Sequence, residues 1–159
     1  EDEPLWHEML GQCSVESIRF RFRSMFRQMS HERASRFCFM DYDRELAMIA
    51  EITVEGKQQM IGAGHLYCDV DRTRAEYAVL VPDQWQRHGV GSLLTEACLD
   101  IAVDWGLHEV FGETDRFNSG MKATFKNAGF ELQCPPGEDV VRARKILSAD
   151  PALNRILPT

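Results

Sequence analysis

Apolar and polar positions change period several times along this chain, and each change marks the boundary of an element. Near the start, Pro4 stands before Leu5, Met9 and Leu10 at helical spacing, and Ser14 with Ser17 opens a second helical stretch through Ile18, Phe22 and Met25. A third short helix is expected from Ser30 to Phe37. Beyond Met40-Asp41-Tyr42-Asp43 the period shortens: Leu46 to Val54 and Met60 to Tyr67 are β-rich runs split by the turn signal Glu55-Gly56-Lys57, which predicts a hairpin. Ala75 to Val81 is a further strand, stopped by Pro82-Asp83. Val90 to Trp105 is the strongest helix: Val90, Leu93, Leu94, Ala97, Ile101, Ala102 and Trp105 follow i, i+3, i+4, i+7 spacing, and Gly106 ends it. His108 to Glu113 reads as a strand, Ser119 to Ala128 as a helix ended by Gly129, and Phe130 to Gln133 and Val140 to Leu147 as closing strands. The order is mixed α/β, without repeats or a linker.

With 159 residues, 44% of them apolar and 27% charged, one globular domain is the expectation, and no apolar run approaches the ~18 residues that cross a bilayer. The chain opens on Glu1-Asp2-Glu3-Pro4 without an initiator Met, which suggests a piece cut from something longer. Five cysteines (Cys13, Cys38, Cys68, Cys98, Cys134) are odd in number and widely scattered, so reduced thiols in a cytoplasm fit best. A net charge of -7 opposes nucleic-acid binding and favours cationic partners, such as a Lys-bearing substrate. The basic and aromatic residues from Arg19 to Arg27 could stack on single-stranded nucleic acid, but in an acidic chain the Phe and Met residues fit a buried helix face better. His7, His31, His65, His88 and His108 form no ligand-spaced cluster, so no metal is expected.

The chemistry centres on Val79-Leu80-Val81-Pro82-Asp83-Gln84-Trp85-Gln86-Arg87-His88-Gly89-Val90-Gly91-Ser92, a strand, a short loop and a helix N-terminus. Unpaired amides at a helix start attract an anion, and Gly89 and Gly91 remove side chains that would block a pyrophosphate. A Walker loop is excluded for want of Gly-Lys-Ser/Thr, and a dinucleotide fingerprint because Leu94 stands where its third Gly belongs. Gln86-x-x-Gly89-x-Gly91 resembles the Q/R-x-x-G-x-G/A signature of the GNAT superfamily of N-acetyltransferases, and Asn118 followed by Gly129-Phe130 resembles that family's second helix and next strand. The resemblance covers nearly the whole chain. It implies a splayed, mostly antiparallel central sheet with helices on both faces, holding acetyl-coenzyme A. Gln86, Arg87, His88, Gly89, Val90, Gly91 and Ser92 would cradle the pyrophosphate. Strand amides near Val79, Leu80 and Val81 would align pantetheine and thioester, and Asn118 would contact the pantetheine arm.

Glu76 shares a strand face with Ala78 and Leu80, where alternation otherwise calls for apolar residues. Glu is seldom buried without a reason. A Lys amine has a pKa near 10.4, so freeing it at pH 7 costs about 4 to 5 kcal/mol, and a nearby base raised by partial burial would help. Glu76 is the candidate base, and Ala75-Glu76-Tyr77-Ala78 resembles the strand that carries such a Glu in the protein-lysine branch. Strand amides could steady charge on the thioester oxygen, so no side-chain nucleophile is needed. Where many members of the family carry a Tyr to protonate the departing thiolate, this chain has Phe125. A thiol with a pKa near 8.5 leaves readily, and no general acid is named, although Tyr42, Tyr67 and Tyr77 are available.

The segments Glu16-Ser17-Ile18-Arg19-Phe20-Arg21-Phe22, Ser30-His31-Glu32 and Asp41-Tyr42-Asp43-Arg44-Glu45-Leu46-Ala47 resemble bacterial protein lysine acetyltransferases of the Pat type. That resemblance implies a lysine acceptor on a protein, such as an AMP-forming acyl-CoA synthetase, whose loss of a Lys charge would disable it. It also implies a domain often fused to a synthetase-like or regulatory region. Two alternatives remain: a small-molecule amine acetyltransferase, and a domain that senses acetyl-coenzyme A without turnover.

Overall fold

The computed structural model describes residues 3–27 and 44–148. Two helices come first, α1 (Glu3–Gly11) and α2 (Val15–Arg27). The break between them follows from Ser14, whose hydroxyl accepts the Ser17 amide at 3.1 Å and so satisfies an orphan donor of the α2 start. The expected helix from Ser30 to Phe37 lies outside the described residues.

Strands β1 (Glu45–Val54) and β2 (Lys57–Cys68) form the expected hairpin. Its turn is only Glu55-Gly56, both with positive φ (50° and 79°), and Lys57 already pairs with Val54, so β2 begins earlier than the hydrophobic run suggests. Strand β3 (Arg74–Leu80) leads through a short 3-10 turn, Asp83–Trp85, into α3 (Val90–Asp104). Then come β4 (Glu109–Asp115), α4 (Ser119–Asn127), β5 (Glu131–Gln133) and β6 (Val140–Ile146). The six strands lie in the order β1-β2-β3-β4-β6-β5. Every neighbouring pair is antiparallel except β3 and β4, which α3 connects as a crossover.

Alternation divides the sheet into two faces. Ala75 and Tyr77 of β3, Leu66 of β2, Val110 of β4 and Ala143 of β6 pack against Cys98 and Ala102 of α3 and Phe125 of α4. On the opposite face Leu80, Met60 and Ala63 pack under Met9 of α1, and α2 crosses β3 and β4. Helix α3 departs from the expected stripe: Leu94, Thr95, Cys98 and Ala102 are the buried positions, while Leu93 and Trp105 are exposed. Thr95 is accepted inside because its hydroxyl donates to the Gly91 carbonyl at 2.7 Å and lies 2.8 Å from the Tyr77 hydroxyl.

Candidate active site

The parallel ladder between β3 and β4 is short. Only Arg74, Ala75 and Glu76 are in register with Glu109, Val110 and Phe111, after which the strands splay. Gly112 sits at the fork, where an added Cβ would come within 2.8 Å of the Tyr77 carbonyl oxygen and 2.9 Å of the Phe125 ring. The fork opens into a cavity of about 660 Å3. Its walls come from β3, the loop and first turn of α3, the start of α4 and, on the other side, α2.

Among the residues expected from sequence, Glu76, Val79, Leu80, Val81, Gln86, Arg87, Gly89, Gly91, Ser92 and Asn118 line this one cavity. His88 and Val90 stand outside that lining. The His88 ring leans on Trp85, with Nδ1 2.8 Å from the Gln86 carbonyl, and Val90 packs toward β2 at Gly62, where an added Cβ would lie 2.9 Å from its Cγ1. The loop geometry explains the glycines differently. Gly89 is the N-cap of α3 in the left-handed region (φ 85°), which a side chain would strain. Gly91 is helical, and a Cβ there would meet nothing closer than 3.9 Å. The fold itself therefore leaves room at Gly91, in front of a helix start with neither a side-chain cap nor an acid in its first turn.

Two expected binding side chains have local partners. Gln86 Nε2 donates to the Val81 carbonyl (3.0 Å) and the Ser17 hydroxyl (3.1 Å), tying the loop to the end of β3 and to α2. Asn118 Oδ1 accepts the Met121 amide at 3.1 Å, capping α4 at the cavity edge. Asp83 accepts the Ser14 amide at 2.8 Å, and that bond, first among its causes, holds the Asp83 carboxyl below its usual range.

Glu76 is half-buried on the face that α2 covers, directly opposite Tyr67 in the β2–β3 register. Tyr67 stacks on His65 (centroids 5.8 Å apart, planes 6° apart), and the edge of Trp6 meets His65. Tyr77 points to the other face; burial pushes its hydroxyl well above the ordinary phenol range, against the lowering effect of its bond to Thr95. Phe125 is fully buried between Tyr77 and Phe130, so its position carries no acid. Tyr42, Ser30-His31-Glu32 and Asp41-Tyr42-Asp43 lie outside the described residues.

Sequence reasoning missed the α2 wall. The basic-aromatic run was expected to bury its Phe and Met residues, yet of the α2 side chains described it is Arg21 that is buried, at 8% exposure, and it lines the cavity with Glu16, Ser17 and Phe20. The signal was present as helical spacing, since Ser17 and Arg21 lie one turn apart on one face. It was unreadable without knowing which face met the fork.

Known proteins share this family and fold. The acetyltransferase (GNAT) family model matches residues 11–130. An acetyltransferase of Pseudomonas aeruginosa is 21% identical over 138 residues, 87% of this chain and 74% of that one. The crystal structure of the GNAT domain of S. lividans PAT superposes with a TM-score of 0.72 at 25% identity, covering 92% of this chain and 85% of the other. A spermidine N-acetyltransferase from Vibrio cholerae, solved with CoA and spermine, shares the fold at 15% identity with a TM-score of 0.67, over 92% of this chain and 91% of its own.

Proposed function

Because this chain belongs to the acetyltransferase (GNAT) family, we propose that it transfers acetyl from acetyl-coenzyme A to a lysine side chain of a protein, with Glu76 as the proton acceptor. The observation that carries the reading is that Glu76, the loop end at Gly89 and Gly91, and Asn118 face one cavity at the fork of β3 and β4. The lining suits the co-substrate: the first-turn amides of α3 and Arg87 would hold the diphosphate, with Gly91 leaving it space. Four residues of strand separate Leu80 from Glu76, about 13 Å at ~3.3 Å per residue, which leaves an extended arm room between anchored phosphate and reacting carbon. Acetyl-coenzyme A supplies the acetyl group as a thioester. Glu76 takes a proton from the entering ammonium, the freed nitrogen bonds to the acetyl carbon, and the carbon–sulfur bond breaks. The amine's second proton goes to the departing sulfur through solvent, so no side-chain acid is required at Phe125. Backbone amides of β3 beyond the fork are the candidates to steady the carbonyl oxygen.

A protein acceptor is favoured by the 25% identity and extended superposition with the S. lividans PAT domain. An acyl-CoA synthetase of the AMP-forming class is the acceptor that the Pat resemblance suggests, in the cytoplasm. A second reading, a small cationic amine, draws on Glu16, Asp83 and Glu113, which join Glu76 in the cavity wall, and on the fold shared with the spermidine enzyme. Incubating the chain with radiolabelled acetyl-coenzyme A and a cytosolic lysate separates them. Label on protein lysines is expected; label confined to small amines moves the assignment to the second reading, and no transfer to either removes the transferase reading.

A further inference from the structure

Helix α2 walls one side of the cavity, yet among its described side chains none belongs to either buried apolar cluster. Its start is fastened by polar bonds instead, and these come from the loop between β3 and α3. Asp83 Oδ1 accepts the Ser14 amide at 2.8 Å across 69 residues of chain, and Gln86 Nε2 donates to the Ser17 hydroxyl at 3.1 Å. Ser14 and Ser17 are themselves joined, hydroxyl to hydroxyl, at 3.2 Å. Beside them Gln84 Nε2 donates to Gln12 Oε1 at 2.9 Å, an oxygen that Gln59 of β2 also reaches at 3.1 Å. Of these ties the Asp83 bond is the shortest and the one made by an ionised group: the Ser14 amide, first among its causes, holds the Asp83 carboxyl below the usual carboxylate range, so the bond is charge-assisted at neutral pH. It also sets a negative charge at the start of α2, where the helix dipole favours one. The same loop runs on to the start of α3. Trp85 donates its amide to the Pro82 carbonyl at 2.8 Å and Gln86 to the Asp83 carbonyl at 3.3 Å, and Arg87 and Gly89 follow in the left-handed region with φ of 62° and 85°. Internal bonds and two left-handed residues leave the stretch from Asp83 to Gly89 few alternative paths, so whatever is held at the first turn of α3 constrains Asp83 as well.

We propose that Asp83 is a positioning residue for acetyl transfer: through its bond to Ser14 it fastens the α2 wall to the loop that receives the diphosphate of the co-substrate, so that loading the loop steadies α2. This rests on the reading of that loop as the diphosphate holder. Glu16, Ser17, Phe20 and Arg21 of α2 all enter the cavity, and an acceptor that binds there has to order them. With the loop loaded, part of that ordering is already done, so co-substrate and acceptor favour one another without touching.

The test is amide hydrogen exchange in the full chain, read residue by residue by NMR with and without coenzyme A, which loads the loop without turnover. In wild type coenzyme A should slow exchange by about tenfold both at Gly91 and Ser92, at the start of α3, and at Ser14 and Ile18, at the start of α2. In Asp83→Ala the slowing at Gly91 and Ser92 should stay while that at Ser14 and Ile18 vanishes, and Asp83→Asn, which keeps an acceptor oxygen, should restore it. Should Asp83→Ala fail to fold, Asp83→Ser, too short to reach Ser14, takes its place. A bond that served stability alone would leave Ile18 indifferent to coenzyme A in wild type, and that result overturns the proposal while leaving the role of the loop intact. Slowing of α2 that survives in Asp83→Ala overturns it equally. No slowing at Gly91 and Ser92 removes the diphosphate reading and the proposal with it.

Discussion

The two faces of the central sheet follow opposite rules. Against α3 and α4 the contacts are apolar, with Leu66, Ala75, Cys98, Val110 and Phe125 sealed from water and the hydroxyls of Tyr77 and Thr95 satisfying one another. Against α1 and α2 a small apolar cluster of Met9, Met60, Ala63 and Leu80 gives way, toward the fork, to Arg21, His65, Tyr67 and Glu76. One strand supplies both: Ala75 and Tyr77 face the first, Glu76 the second. A one-residue step along β3 thus separates the packed core from the cavity wall, because successive side chains leave opposite faces.

Damage to the two faces should therefore read out in different measurements. The largest expected effect is on the α2 side: Glu76→Gln should cut turnover at neutral pH by about 10²-fold or more, with partial recovery at high pH and nearly unchanged coenzyme A affinity. Steady-state kinetics across pH, alongside calorimetric binding, would show it, and a variant with wild-type turnover would break the contrast. On the α3 side Leu66→Ala should cost about 2–5 kcal/mol of stability in urea unfolding, while the folded fraction still binds acetyl-coenzyme A. A stable variant that has lost binding would mean the apolar face is not mere scaffold.

The third contrast is in pH. His65 titrates near 4 in the folded chain against an ordinary value of 6.5. Between those values the unfolded chain binds more protons, so stability should fall as pH drops from about 6.5 to about 4, by about 3 kcal/mol in total. Urea unfolding at several pH values should show that slope, and His65→Gln should flatten it. An identical slope in the variant would place the acid sensitivity elsewhere.

Much of this was legible in the chain. Strands β1, β3, β4 and β6 and helix α3 start and stop within a residue or two of where periodicity, Gly106 and Pro82 put them, since such local signals act through nearby backbone. The glycine spacing Gln86-x-x-Gly89-x-Gly91 was enough to point to the family, and it set the expectation of a phosphate-binding helix start. Less was legible in the roles. Gln86 ties the loop to β3 and α2, Leu93 faces solvent where Thr95 faces the core, and His88 and Val90 turn away from the cavity.

By itself, then, the sequence determined the order of elements, the anion-ready helix start and the odd carboxylate on an otherwise apolar strand face, all properties of residues close together in the chain. The tertiary structure alone decided that β3 and β4 part after Glu76, that the opening meets Arg21 from α2, and that Glu76 lies in the same cavity as Gly91. Those are relations between separate elements of the chain, and they depend on which faces pack together, a choice made by the burial of the whole core.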